Sequence, residues 1–303
     1  MNERDLDYFA VIAEHGHLGR ASEALGLSQP ALSMSLRRLE KSLQAKLVKG
    51  TPKGVELTSV GRALQSHLQR LRLVRQDIGR EITDLSLGRS GDLHISTQVG
   101  TTEELVAVAS AALLNEAPKI SLRVTVTSLE SMVPALRNGD PDFIVSTSPS
   151  AAADDLVHEH LYEDEFIVIA STEHRLARRR RVTLAEVANE RWVRPGASGP
   201  SWDEFTRAFE KEGLPLPQFT MISNSSVVRR RVIAYAGFLG QGGRRAVRQT
   251  SRSLPITVLP VKELTIPRSV MVTYRKDAYL SPAARRFIEI LKTTAKEIAA
   301  EKP

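Results

Sequence analysis

The sequence predicts a mixed α/β protein in three consecutive parts: a small helical head bearing a β wing, one long helix, and a two-lobed α/β body. Three observations carry that prediction. Short apolar stripes at helical spacing, punctuated by Gly16 and Gly26, fill the N-terminal segment; a run of apolar residues spaced alternately by four and three follows; and beyond Gly91 strands alternate with helices. At 303 residues the chain also exceeds the usual size of one hydrophobic core, which agrees with more than one domain.

In order along the chain, Leu6, Phe9, Ala10 and Ala13 recur at helical spacing and stop at Gly16, predicting a first helix with one stripe to bury. A second helix is predicted from about Leu18 to Leu25, with Ala21, Ala24 and Leu25 inward and Gly26 supplying the turn. Ser28 is placed to cap a third helix, because its hydroxyl accepts an orphan backbone N–H. Pro30 falls in the first turn, where a missing N–H costs least. Leu32, Leu36, Leu39 and Leu43 form the buried edge of that third helix. The opposite edge carries Pro30, Ser33, Met34, Arg37 and Lys41, with Gln29 at the tip and Arg38 on the flank. Those residue types suit a DNA major groove: Gln pairs bidentately with adenine, Arg with guanine, Ser with either, and Met touches a thymine methyl. Before Glu40 that edge has no acid to repel phosphate. Leu47-Val48 and Val55-Glu56-Leu57 then read as two short strands around Gly50–Gly54, a wing that offers Lys49 and Lys53 to phosphate.

Charge agrees with double-stranded DNA as the partner. The whole chain carries +7, yet between His15 and Gln76 eleven Lys and Arg face only three Glu, a local excess of +8. A basic head on a near-neutral body is thus predicted. With 42% hydrophobic and 25% charged residues the composition is that of an ordinary globular protein, and no apolar run approaches the roughly 18 residues of a membrane span. The opening residues lack a basic segment followed by an apolar core, so a cytoplasmic protein with no membrane partner is expected. The absence of cysteine removes disulfides, thiolate metal sites and cysteine nucleophiles.

The run Ala21-Ser22-Glu23-Ala24-Leu25-Gly26-Leu27-Ser28-Gln29-Pro30-Ala31-Leu32-Ser33, followed by Arg38-Leu39-Glu40, resembles the LysR-type transcriptional regulators, and the likeness continues through Gly54-Val55-Glu56-Leu57-Thr58 and Gly61. The resemblance implies a winged helix-turn-helix over residues 1–58, a dimerising linker helix and hinge over 59–90, and a periplasmic-binding-protein-like effector domain over 91–303. Where the family has Phe and Arg before the wing, Val48 and Gly50 stand here. Where it has a Gly-x-Gly-Ile run, this chain reads Gly237-Phe238-Leu239-Gly240-Gln241-Gly242-Gly243-Arg244.

From Ser59 a long helix is predicted, with Leu64, Leu68, Leu71, Arg75, Ile78, Ile82 and Leu85 spaced by 4, 3, 4, 3, 4 and 3. That is a heptad seam with one polar position, and it predicts a partner helix, hence a homodimer or a homotetramer built from dimers. Gly88–Gly91 closes it as a hinge. The body follows in β-α-β order: a strand at Leu93–Ser96, a helix at about Thr102–Asn115, a strand at Ile120–Thr127, a helix near Met132–Arg137, and strands at Phe143–Ser146 and Phe166–Ala170. Parallel sheets with covering helices are expected. Further helices are placed at Ala185–Asn189 and Asp203–Glu212, and two chain passages join lobe I (91–162 and 267–303) to lobe II (163–266). Ligands of such folds sit at strand carboxyl ends, in the crevice between lobes. The candidates there are Thr97, Gln98, Gly100 and Thr101 after the first strand, Ser128 and Thr147 after the next two, and Ser198 and Asn224 on the opposing wall. Thr101 with Glu104 also fits a capping box. The arginine runs 178–181 and 229–231 read as solvated surface.

The expected function is a sequence-specific DNA-binding transcriptional regulator controlled by a small effector, with the transcription machinery as a further partner. The rivals are an effector-independent architectural DNA binder and an enzyme using the two-lobed body. The enzyme reading has little to stand on: there is no Gly-x-Ser-x-Gly elbow and no Gly-Lys-Ser/Thr phosphate loop. His158-Glu159-His160 offers an i, i+2 pair with no third ligand in view, so no catalytic residue, metal or cofactor is assigned.

Overall fold

The computed structural model describes residues 2–87, 92–100, 102–147, 154–196 and 200–300, and the chain separates into two compact units, Met1–Arg80 and Glu81–Pro303. The boundary falls inside the long helix. The hinge run 88–91 lies outside the described residues.

In the first unit, α1 (Glu3–His15), α2 (Leu18–Leu25) and α3 (Gln29–Leu43) close on a core of Phe9, Ile12, Ala21, Leu32, Leu36, Leu39 and Leu47. Gly16 and Gly26 each end a helix with φ near +60°, the left-handed conformation that costs glycine least. One inward assignment on α2 changes. Ala24 is exposed, and Ser22 is buried instead, its hydroxyl donating to the Gly19 carbonyl at 2.7 Å so that the polar group enters the interior satisfied.

The wing is the antiparallel pair β1 (Val48–Thr51) and β2 (Gly54–Leu57). It is held by backbone: Val55 N donates to the Gly16 carbonyl at 2.9 Å, and Thr58 N to the Leu47 carbonyl at 2.9 Å. Two glycines allow this approach. A Cβ on Gly54 would lie 2.3 Å from the Gly16 carbonyl oxygen, and one on Gly61 would lie 2.0 Å from that of Leu47. These are two of the positions that carry the sequence resemblance.

α4 (Ser59–Leu87) starts at that contact. Leu64 and Leu68 pack against the head's own core, whereas Leu71, Ile78, Ile82 and Leu85 are 43%, 54%, 60% and 75% exposed. Arg75 leaves the seam to pair with Glu3 of α1, and its neighbour Val74 is 51% exposed. The first part of the stripe therefore belongs to the head, and the remainder is an apolar row without cover in the single chain.

In the second unit the elements run β3 (Asp92–Gln98), α5 (Glu103–Glu116), β4 (Ser121–Thr127), α6 (Leu129–Arg137), β5 (Phe143–Thr147) and the long β6 (Leu156–Ser171). Then come α7 (Leu184–Ala188), β7 (Arg191–Arg194), α8 (Pro200–Lys211), β8 (Gln218–Ile222), α9 (Ser226–Ala236) and β9 (Gly240–Gly243). α10 (Arg244–Thr250), β10 (Ile256–Leu259), β11 (Ile266–Arg275) and α11 (Pro282–Ala300) complete it. β3 pairs parallel with β4 and β5, and β7 with β8, as β-α-β order demands. The expectation of separate parallel sheets needs one correction. A seven-stranded sheet in the order β10-β6-β11-β5-β3-β4, with β9 also on β6, includes strands from both lobes, and β6 and β11 are antiparallel neighbours from Leu156↔Arg275 to Phe166↔Ile266. Core residues of lobe I gather under α5 and α11, around Phe143, Phe287 and Leu291; those of lobe II gather around Trp192, Phe205 and Phe209. No helix among the described residues is long and apolar enough to cross a membrane.

Candidate nucleic-acid interface and ligand cleft

The third helix owes its orientation to polar contacts on its hidden side. Ser28 accepts from Ala31 N at 3.4 Å, with Pro30 in the first turn. On the inner face Ser35 Oγ donates to Asp5 Oδ1 at 2.5 Å, and from the exposed flank Arg38 Nε donates to Asp5 Oδ2 at 2.8 Å while Arg38 Nη2 reaches the other carboxylate oxygen. Asp5 is 2% exposed, and the hydrogen bond from Arg38 is the main reason its carboxyl sits below the ordinary aspartate value. Arg38, placed by sequence on the DNA-facing flank, is exposed there and pairs with Asp5 of α1.

Glu40 is the second anchor, and the sequence pattern gave no hint of it. It is buried, and its carboxylate accepts from Leu47 N at 2.9 Å, Val48 N at 3.5 Å and Lys46 Nζ at 2.7 Å. Burial alone would raise its pKa, but Lys46 and the two amides outweigh it and hold the carboxyl below its usual value. The one acid on the helix that would oppose phosphate is therefore turned inward, where it ties the wing to α3.

What remains outside is the set expected to meet DNA. Ser28, Gln29, Pro30, Arg37 and Lys41 are exposed, Met34 is 60% exposed, and Ser33 is half-buried. Arg37 and Lys41 make no ion pair among the described residues, and Lys53 stands exposed at the tip of the wing. Lys49 instead pairs with Glu56 across the wing at 2.9 Å.

In the second unit a cleft of about 680 Å³ lies between the lobes. Of the sequence candidates, Gln98, Ser128, Thr147 and Asn224 line it. Gln98 Oε1 accepts from both Thr147 N and Thr147 Oγ1 at 2.9 Å, and Asn224 Oδ1 accepts from Gly196 N at 2.9 Å, so two of the four already brace the walls. Thr97 faces away: it is 1% exposed, its hydroxyl 2.7 Å from that of Thr102. Strand alternation is the reason, since Gln98 takes the cleft side and its neighbour must take the other. Gly100 also lies off the cleft, its carbonyl accepting from Arg230 Nη2 at 3.0 Å. Thr101 and Ser198 lie outside the described residues. The cap of α5 is Thr102, whose hydroxyl donates to the Val145 carbonyl at 3.0 Å, and Gly100 N donates to Glu103; the capping box expected of Thr101 falls outside the described residues.

Several cleft residues escaped the sequence reading. Arg194 lies over Trp202, 4.4 Å from its centroid, and Arg229 lines the wall. Arg268 comes from the returning strand β11 and stands 3.8 Å above the Phe166 ring. The run 229–231, expected to be solvated surface, is so only at Arg231; Arg229 and Arg230 are half-buried, and burial lowers the pKa of each.

A model of the bacterial regulatory helix-turn-helix protein, lysR family, matches residues 4–62, and one of the LysR substrate binding domain matches residues 86–296. The chain is 26% identical over 294 residues to the HTH-type transcriptional regulator GbpR of Azospirillum brasilense, covering 96% of this chain and 86% of that protein. It is 27% identical over 293 residues to the RuBisCO operon transcriptional regulator of Allochromatium vinosum, covering 96% of each. Among solved structures, full-length CbnR complexed with its target DNA superposes with a TM-score of 0.59 at 17% identity, over 97% of this chain and 100% of that one. The regulatory domain of CcmR from Synechocystis PCC6803 in complex with 2-PG gives 0.61 at 17% identity, over 68% of this chain and 98% of that one.

Proposed function

The chain belongs to the LysR family of bacterial helix-turn-helix regulators, and from that premise we propose that Gln29, Pro30, Ser33, Met34 and Arg37 read base edges in the major groove while Ser28, Lys41 and Lys53 meet backbone phosphate. The observation that carries this is the outer edge of α3: cationic and amide side chains are exposed on it, while Glu40, the one acid of the helix, and Asp5 of α1 are buried and paired with Lys46 and Arg38. Arg38, exposed on the flank, braces α3 against Asp5 and remains within reach of backbone phosphate.

In the same reading, two or four copies join through the uncovered part of α4, and paired heads address a pseudo-palindromic site at a spacing set by the linker helices. A small effector in the cleft favours one arrangement of the lobes and shifts the population of DNA-competent assemblies accordingly. The protein works in the cytoplasm, where the chromosome and the transcription machinery are at hand.

Arg37→Ala tests the DNA surface. If Arg37 reads a guanine, its loss costs about 1–3 kcal/mol on the cognate site, roughly 5- to 150-fold in affinity, and much less on random duplex. Titration of both duplexes at one fixed salt concentration decides: an equal loss on the two makes Arg37 a phosphate contact and removes it from sequence readout.

A further inference from the structure

Two polar atoms are stranded in the cleft wall. Arg268 is 9% exposed; its Nη2 bonds Ser201 Oγ, but its Nε is buried with no hydrogen-bond partner among the described residues. The amide nitrogen of Gln241, on β9, is buried and unpartnered in the same way. Both residues line the same cavity. Buried polar groups in folded proteins are almost always paired, so two exceptions in one cleft call for a missing partner. Both orphans are N–H donors, which makes that partner an acceptor.

The charge balance agrees. Arg268 has no carboxylate at ion-pair distance among the described residues. Its cross-strand neighbour Asp164 accepts from the Arg245 backbone amide through Oδ1, its Oδ2 is buried with no hydrogen-bond partner among the described residues, and burial raises the pKa of that carboxyl. Glu163 is held by His160 and Ser269. Burial pulls Arg268 itself down to about 10, partly offset by Glu204 and Asp164, so the guanidinium stays charged at neutral pH in a site that has stripped it of water. Around it the wall is aromatic, with Phe166, Trp192, Phe205 and Phe219. At about 680 Å³ the cavity is far larger than an inorganic oxyanion and within the range of small organic ligands.

We infer that the effector is an organic monocarboxylate whose carboxylate is received by Arg268 and Gln241 and whose apolar body lies against the aromatic wall. This rests on reading the cleft as the effector site. An anion supplies the two missing acceptors at once and gives Arg268 a carboxylate at ion-pair distance. Gln98 and Thr147 are spent on each other.

The test uses the full-length protein and a panel of aryl and branched-chain monocarboxylates, each with its primary amide, together with inorganic phosphate and sulfate. Thermal shift finds the binders and calorimetry measures them. The expected result is that one or more carboxylates raise the melting temperature while the matched amides bind at least tenfold more weakly. Arg268→Gln then weakens the best carboxylate at least tenfold, and Gln241→Leu weakens it by a smaller factor. Should Arg268→Gln fail to fold, the Gln241→Leu affinity alone decides, and an unchanged value overturns the inference. It is also overturned by acids and amides that bind alike, by Arg268→Gln binding the acid as tightly as the native protein, or by phosphate or sulfate binding as well as any carboxylate. Each of those outcomes leaves the cleft as a ligand site with another chemistry. If no compound of either charge class shifts the native protein, the effector-cleft reading falls together with this one.

Discussion

Replacing Ile78 with Glu should turn the assembly into monomers and lower operator affinity by about 10²–10⁴-fold, the factor that linking two modest binding events supplies without any new contact. The residue stands 54% exposed in a row with Leu71, Val74, Ile82 and Leu85, all at least 43% exposed on one helix. An exposed apolar row of this kind is what a helix–helix contact between two copies would cover. A carboxylate at its centre would have to be buried against the same carboxylate of the partner, without a counter-ion, and that cost exceeds anything the remaining apolar contacts return. The head should stay folded, because its core is closed by Leu64 and Leu68 and not by Ile78. Light scattering reads the mass, and titration of a two-site and a one-site duplex reads the affinity. An unchanged mass would show that the assembly uses another surface.

Asp5→Asn should destabilise the head by about 1.5–3 kcal/mol, the usual contribution of hydrogen bonds to a buried charge, which for a unit of this size is a fall of roughly ten degrees in its thermal transition. Three donors converge on that carboxylate, two from Arg38 and one from Ser35, and an amide presents its NH₂ where one of them needs an acceptor. The same contact gives the native head an acid sensitivity. Its pKa is lower in the folded state than in the unfolded chain, so the stabilisation is complete above the ordinary aspartate value of about 3.9 and is lost as the pH falls through the lower folded-state value. Unfolding of the head followed from pH 7 downward should therefore steepen below about pH 4 in the native protein and less so in Asp5→Asn. Parallel curves would mean that other carboxylates govern the acid limb. Because Arg38 and Ser35 lie on α3, the variant should also weaken specific DNA binding more than its stability loss accounts for.

The contrast between head and body explains what a sequence reader sees. In α3 the relevant contacts recur every three or four residues, so Leu32, Leu36 and Leu39 announce the inner edge and Gln29, Met34 and Arg37 the outer one. The capping serine and the terminal glycines are equally local. What is not local was missed: nothing near Glu40 or Arg38 in sequence says that the first would turn inward to the amides of Leu47 and Val48, or that the second would cross to Asp5. In the body β6 carries the run His158-Glu159-His160 and Glu163-Asp164-Glu165, which lacks the apolar run of a buried strand, so only Phe166–Ala170 stood out. Arg268 and Gln241 reach the cleft from strands far apart in sequence from Gln98, and no spacing rule brings the three together. α11 had a legible signal in Ala284, Phe287, Ile288, Leu291 and Ala295, a helical stripe at the chain's end.

The pairing of β6 with β11 bears on how a ligand signal leaves the cleft. The two lobes are not joined by loops that swing; they share a two-stranded ribbon whose rungs are backbone hydrogen bonds and whose bonding continues on both sides into neighbouring strands. Turning one lobe against the other therefore flexes a beam, a small change of strand twist spread over many residues, whose axis the ladder dictates. Such a joint resists sliding and favours one direction of bend, so whatever fills the space beside Arg268 presses on the beam itself, and its movement is delivered to the far ends of both strands together.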